Sequence, residues 1–154
     1  MTNVGGRYEE VYGESPYLVA ELGIAMGKGL QTDMQVASTA KHFIAYSNNK
    51  GAREGFARVD PQMSWREVEN IHAYPFTRVI QEAGILGVMS SYNDYDGFPI
   101  QSSYYWLTQR SNGAAMGFDG VMWYPTVTRW NISTASTKRQ RTERGSPPEC
   151  RSRT

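Results

Sequence analysis

An α/β domain built on parallel strands is the fold class this sequence predicts, and three observations carry the prediction. Short apolar stretches suited to buried strands alternate with longer stretches that read as helices. The helices carry their own punctuation, with capping serines at their starts and glycines at or beyond their ends. Ionisable or hydroxyl-bearing residues follow directly where the strands should finish, which is where parallel α/β folds place their ligands. Taken at face value, 154 residues with 40% hydrophobic and 12% aromatic content fit one ordinary globular domain.

The elements follow in order. Ser15-Pro16 ahead of Tyr17 to Met26 reads as a helix start, with Ser15 as N-cap and Pro16 at the first helical position, where its missing N–H costs nothing. Gly27 and Gly29 are expected to weaken or end that helix. Val36 to Ala40 suits a strand buried on both faces, running directly into Lys41-His42-Phe43. Asn48 to Val59, rich in Gly, Asn and alternating charge, reads as a loop. Ser64 and Glu67 form a capping-box pair that opens the next helix, expected to end near Ala83 with Gly84 beyond it. Pro75 inside that stretch predicts a kink or two abutting helices. Ile85 to Ser90 is a second buried strand, followed at once by Ser91-Tyr92-Asn93-Asp94; Asp96-Gly97-Phe98-Pro99 is a turn. A third helix is expected from Ser103 to about Arg110, and Gly120-Val121-Met122 opens a third strand.

Composition excludes several function classes. A mean hydropathy of −0.56, without a bilayer-length apolar run or a basic-then-apolar leader, argues against a membrane span or an intact signal peptide. The lone Cys150 rules out a disulfide scaffold and a cysteine-built zinc site. No acidic or histidine cluster has metal-ligand spacing, and no glycine-rich phosphate loop joins a strand to a helix, so neither a metal nor another cofactor is expected. The net charge of +1 conceals two unlike parts: residues 1–122 hold 9 Lys+Arg against 13 Asp+Glu, and residues 123–154 hold 7 against 2. Lys138 to Arg141, Arg144, Arg151 and Arg153 could be read as a nucleic-acid arm, but a tail without a selected role is the preferred reading, and no nucleic-acid partner is assigned.

A Lys-His pair at one strand end and a Ser-Tyr-Asn cluster at the next supply donors and ring contacts for a hydroxyl-rich ligand. Taken singly, Lys41 reads as a surface lysine, His42 as a polar residue at a strand end, and Tyr92 as a packed aromatic. Their equivalent places on successive βα units shift the reading toward a site. His72, inside the capped helix, reads as structural, and Arg7 near Glu14 as half of an exposed ion pair of little energetic weight.

Gly6-Arg7-Tyr8-Glu9-Glu10, Tyr12 to Leu18, Ala40-Lys41-His42-Phe43, Val88 to Asn93, Asp96 to Pro99 and Gly117 to Gly120, in that order and spacing, resemble glycoside hydrolase family 3, the β-glucosidase and β-xylosidase group. The resemblance covers about residues 5 to 122. It implies a partial TIM-type (β/α) barrel that belongs to an exo-acting, retaining glycosidase of β-linked glucosides or xylosides. It also implies that Arg7, Lys41, His42 and Tyr92 bind hydroxyls of the sugar in the first subsite, with Met89 beside them as a lesser candidate. The implied partner is a small carbohydrate, and no oligomeric state is assigned. Gly5 stands where the family pattern has Trp ahead of the Arg.

After Gly-Phe-x-Gly the family pattern continues into a strand ending in Ser-Asp, whose Asp is the nucleophile. Here Val121 to Thr126 stands in its place, and no carboxylate follows until Glu143. Reading each codon one base earlier, the single codons of Met122 and Trp123 force Val-Val; Pro125 and Thr126 then permit Ser-Asp, and Trp130-Asn131 forces Glu. The expectation is therefore a partial barrel domain over residues 1–122 and an out-of-frame, disordered tail over 123–154. Ser111 to Ala115 departs from the charged helix usual at that place, which allows a second small disruption. The chain is further expected to lack the opening barrel strands and the acid/base domain, and to be inactive alone. The alternative is a non-catalytic sugar-binding remnant or a fragment without function.

Overall fold

A computed structural model describes residues 8–46, 59–113 and 115–123. Arg7, all but the end of the loop read at 48–59, and the tail from residue 124 lie outside the described residues. After a 3₁₀ turn at Tyr8–Glu10, helix α1 (Pro16–Leu30) begins where the sequence predicts. The Ser15 hydroxyl accepts from the Leu18 amide at 3.4 Å, and Pro16 occupies the first turn. The helix does not end at Gly27 or Gly29 but runs through both to Leu30. At Gly27 the absence of a side chain serves packing: a Cβ there would meet Ile85 Cγ2 at 3.1 Å and Ala83 Cβ at 3.2 Å, so this glycine permits contact between neighbouring elements.

Strand β1 spans Thr39–Phe43, later than the predicted start. Val36 is 53% exposed, so a strand buried on both faces from that residue is corrected. The Gln31 side chain explains the late entry. Its Oε1 accepts from the Ser38 amide at 3.2 Å and the Ser38 hydroxyl at 2.7 Å, holding the chain outside the sheet until Thr39. Lys41 and His42 consequently lie within the strand, near its end, rather than just beyond it. The Lys41–His42 and Phe43–Ile44 peptides are cis.

The capped helix has three parts: α2 (Trp65–Glu67), a π-helical stretch Val68–Ala73, and α3 (Tyr74–Ala83). Ser64 accepts from the Glu67 amide at 3.2 Å, and Gly84 closes α3 with φ 59° and ψ 41°, a left-handed conformation that glycine adopts without a Cβ penalty. The widened turn lies just before Pro75. Proline donates no hydrogen bond and its ring crowds the carbonyl one turn back, and a π turn relieves both constraints without breaking the helix.

Strand β2 (Gly87–Ser90) is followed by a tight antiparallel hairpin, β3 (Asp94–Tyr95) against β4 (Phe98–Pro99). Asp96 and Gly97, both at positive φ, form its turn, as Asp-Gly pairs favour. The third predicted helix is π-helical over Tyr105–Arg110, and Arg110 Nε donates to Glu69 Oε1 at 2.8 Å, tying it to the earlier π stretch. Strand β5 (Val121–Trp123) completes a three-stranded parallel sheet in the order β1-β2-β5.

Ala40 and Val88 face each other in register and join the apolar core with Phe43, Phe76, Val79 and Ile80, whereas Thr39 and Lys41 stand exposed. Helix α1 packs along α3 through Ala20, Ile24 and Gly27, and Arg78 of α3 bonds Glu21 of α1 at 2.8 Å.

Candidate sugar-binding surface

The carboxyl ends of β1 and β2 gather four of the five residues singled out from the sequence. Lys41 and Met89 are register partners on adjacent parallel strands. The Lys41 ammonium is 2.5 Å from Glu10 Oε2, with the two side chains 42% and 25% exposed. That pair sits in high dielectric and contributes little to stability, but it brings the Tyr8–Glu10 turn to the end of the sheet. His42, half-buried, packs its ring 5.1 Å from the Tyr46 ring, and Tyr46 in turn meets Tyr92 edge-on at 6.1 Å. His42 and Tyr92 are therefore linked through one intervening ring. Arg7, the fifth, lies outside the described residues.

Below these groups lies a recess of about 30 Å³, bounded by Val11, Lys41, His42, Ala45, Tyr46, His72 and Phe76. That volume holds about one water, whereas an enclosing small-molecule pocket needs about 300 Å³ or more. The described residues thus present one open wall of donors and rings rather than a closed pocket. His72 is 4% exposed, and burial pushes its pKa down to about 4, so the imidazole is neutral at physiological pH. Ser91 closes the sheet end, its hydroxyl accepting from the Ile44 amide at 3.0 Å and donating to the Ile44 carbonyl at 2.9 Å. Ser90 Oγ and Asn93 Oδ1 nearby are buried without a hydrogen-bond partner among the described residues. No group of His, Cys, Asp and Glu among the described residues has a metal-binding arrangement.

Sequence reasoning missed Glu10, Tyr46 and the contribution of His72 to the recess. Glu10 belongs to the Gly6–Glu10 stretch of the family resemblance, which implies no role of its own for it. Tyr46 stands four residues after His42, a spacing that acquires meaning only once the strand end and the Tyr92 loop are brought together.

A parallel sheet with donors and aromatic rings at its strand ends defines an α/β protein whose candidate site lies at the carboxyl ends of the strands. Comparison with known proteins gives the family. The family model for the glycosyl hydrolase family 3 N terminal domain matches residues 2–144. A β-xylosidase of Formosa agariphila is 37% identical over 125 residues, covering 76% of this chain and 17% of that protein. A β-glucosidase of Rhizobium radiobacter is 34% identical, covering 79% and 14%. Among solved structures, the β-glucosidase of Listeria innocua in complex with glucose superposes with a TM-score of 0.68 at 33% identity, covering 78% of this chain and 17% of that one. The chain belongs to glycosyl hydrolase family 3 and spans less than a fifth of the length of these relatives.

Proposed function

We propose that this chain carries part of the sugar-binding surface of a family 3 β-glycosidase, on a segment of a TIM-type barrel, and takes a terminal β-linked glucose or xylose unit. The supporting observation is the convergence of Lys41, His42, Met89 and, through Tyr46, Tyr92 at the carboxyl ends of two adjacent parallel strands. Lys41 and His42 donate to sugar hydroxyls, Tyr92 offers a ring face and a hydroxyl, and Met89 packs against the ring carbons. Arg7 joins them by analogy with the family pattern. Relatives named for both sugars, one of them solved with glucose, support this substrate class.

We propose further that the chain by itself hydrolyses nothing. Between Asp119 and Glu143 there is no carboxylate to act as nucleophile, and a neutral threonine hydroxyl cannot stabilise an oxocarbenium-like centre as a carboxylate does. Residues 123–154 are then an out-of-frame extension of a partial domain ending near residue 122, which the nucleotide sequence around Gly120 tests directly. An intact reading frame without the shifted Ser-Asp overturns that division. Calorimetric titration of the purified chain with glucose and xylose tests the binding surface. An open wall predicts affinity near about 1 mM, lost on Lys41→Ala or His42→Ala. Turnover of an aryl β-glucoside or β-xyloside by protein made in a host lacking such enzymes refutes the inactivity.

A further inference from the structure

We propose that Tyr46 is a positioning residue of this surface, holding His42 and Tyr92 in one fixed relation; the inference rests on the sugar-binding reading above. His42 belongs to β1 and Tyr92 follows β2, so two side chains that must address one sugar ring reach it from different βα units. Tyr46 meets both: its ring centroid is 5.1 Å from His42 at an interplanar angle of 48°, and 6.1 Å from Tyr92 at 64°. The second is an edge-to-face geometry, which the ring quadrupoles favour.

Burial alone does not explain this tyrosine. It is 3% exposed and buried beside its chain neighbours Ile44 and Ala45, and it also reaches the groups at the strand ends. Its ring contacts run to the half-buried rings at the strand ends, and it borders the recess bounded by Lys41 and His72. A ring packed against a half-buried imidazole narrows its rotamers, and freedom left in the free protein is lost on binding at a cost in affinity. Tyr46 supplies that contact to His42 and, with its other edge, to Tyr92. The proposal assigns this role to the ring contacts, so phenylalanine should substitute and leucine should not.

The experiment is solution NMR of the full chain with Tyr46→Phe and Tyr46→Leu, alongside titration with glucose and with xylose. In the wild type, Tyr46 ring protons should show cross-relaxation to both His42 and Tyr92, and the His42 ring protons should carry a ring-current shift. Tyr46→Phe should keep that shift and the sugar affinity. Tyr46→Leu should move the His42 signals toward unstructured values and weaken binding up to about tenfold, the upper end for one aromatic pair. Unchanged His42 signals in Tyr46→Leu, or equal damage by Tyr46→Phe, overturns the proposal. If Tyr46→Leu does not fold, the wild-type cross-relaxation decides, and its absence is equally fatal. A wild type that binds neither sugar refutes the sugar-binding reading instead, and the His42 spectrum still judges the role of Tyr46.

Discussion

The two ends of the parallel sheet solve the same problem by different means. Where the strands begin, one amide side chain gathers the loose ends of four segments: Gln31 Nε2 donates to the Gly84 and Ala83 carbonyls, while Oε1 accepts from Ser38 and from the Leu86 amide at 3.1 Å. Both donors and the acceptor are fully used. Where the strands finish, Ser91 makes comparable cross-strand bonds, and Ser90 Oγ and Asn93 Oδ1 are buried without a hydrogen-bond partner among the described residues. Around them stand a buried neutral histidine, an ion pair and a run of touching rings. The starting end satisfies its polar groups with one another, whereas the finishing end leaves two of its buried oxygens unsatisfied among the described residues and places Lys41, His42 and His72 around a recess. That division is the one a parallel α/β fold requires if stability and ligand binding are to occupy opposite ends.

The sharpest way to break the contrast is at the starting end. Gln31→Ala removes the partner of two backbone amides, a hydroxyl and two carbonyls at once and should cost about 3 kcal/mol, given about 0.6 kcal/mol for each of these partly solvent-exposed bonds. Urea unfolding followed by fluorescence measures it. A loss below about 0.5 kcal/mol would mean that water replaces the amide freely and that the two ends do not differ as argued.

Next in size is the acid sensitivity of the finishing end. His72 has a folded pKa near 4, below its ordinary value of 6.5. The unfolded chain therefore binds a proton that the folded chain refuses, so this contribution is fully present above about pH 6.5 and is lost as pH falls toward 4. Between pH 7 and 4.5 it should remove about 2 kcal/mol, the part of the shift that has developed by then. His72→Gln should flatten that part of the pH profile in denaturant titrations; an unchanged slope would show that His72 is not the group responsible.

Legibility from sequence divides along the same line of locality. The Ser64 cap, the Gly84 stop and the disturbance at Pro75 are decided within one turn of chain, and the pattern Ser-x-x-Glu or a lone proline announces them. Gly27 was readable as a glycine but not as a contact, because what requires it is Ile85, far along the chain. Gln31 offered no signal at all: its partners Ala83, Gly84 and Leu86 stand 52, 53 and 55 positions away. Lys41, His42 and Tyr92 were marked by their place after apolar strands, whereas Met89 entered only through the family resemblance. Tyr46 was invisible for the reason Gln31 was, since its meaning lies in neighbours that folding brings together.

A smaller effect tests how tightly the strands approach at the starting end. A Cβ on Gly87 would stand 2.4 Å from Thr39 Oγ1 and 3.1 Å from Thr39 Cβ on the paired strand. Gly87→Ala should cost about 1.5 kcal/mol through overpacking. Thr39→Ala should recover most of that loss, because it removes the hydroxyl that a new Cβ would strike most closely. Strict additivity in the double-mutant cycle would show that the strands separate rather than clash.

The smallest expected effect lies at the finishing end and is the most discriminating. Ser90 is fully buried, and its hydroxyl has no hydrogen-bond partner among the described residues. A buried hydroxyl without a partner pays its desolvation and receives nothing in return, so Ser90→Ala should change stability by less than about 0.5 kcal/mol or raise it slightly. Ser91→Ala, one residue on, should cost about 2 kcal/mol, because it deprives the Ile44 amide and carbonyl of their partner. Two neighbouring serines, equally buried and chemically identical, then differ only in whether the hydroxyl is spent on the fold. Equal losses for both variants would mean that Ser90 holds a bond of its own, and the finishing end would prove as self-satisfied as the starting one.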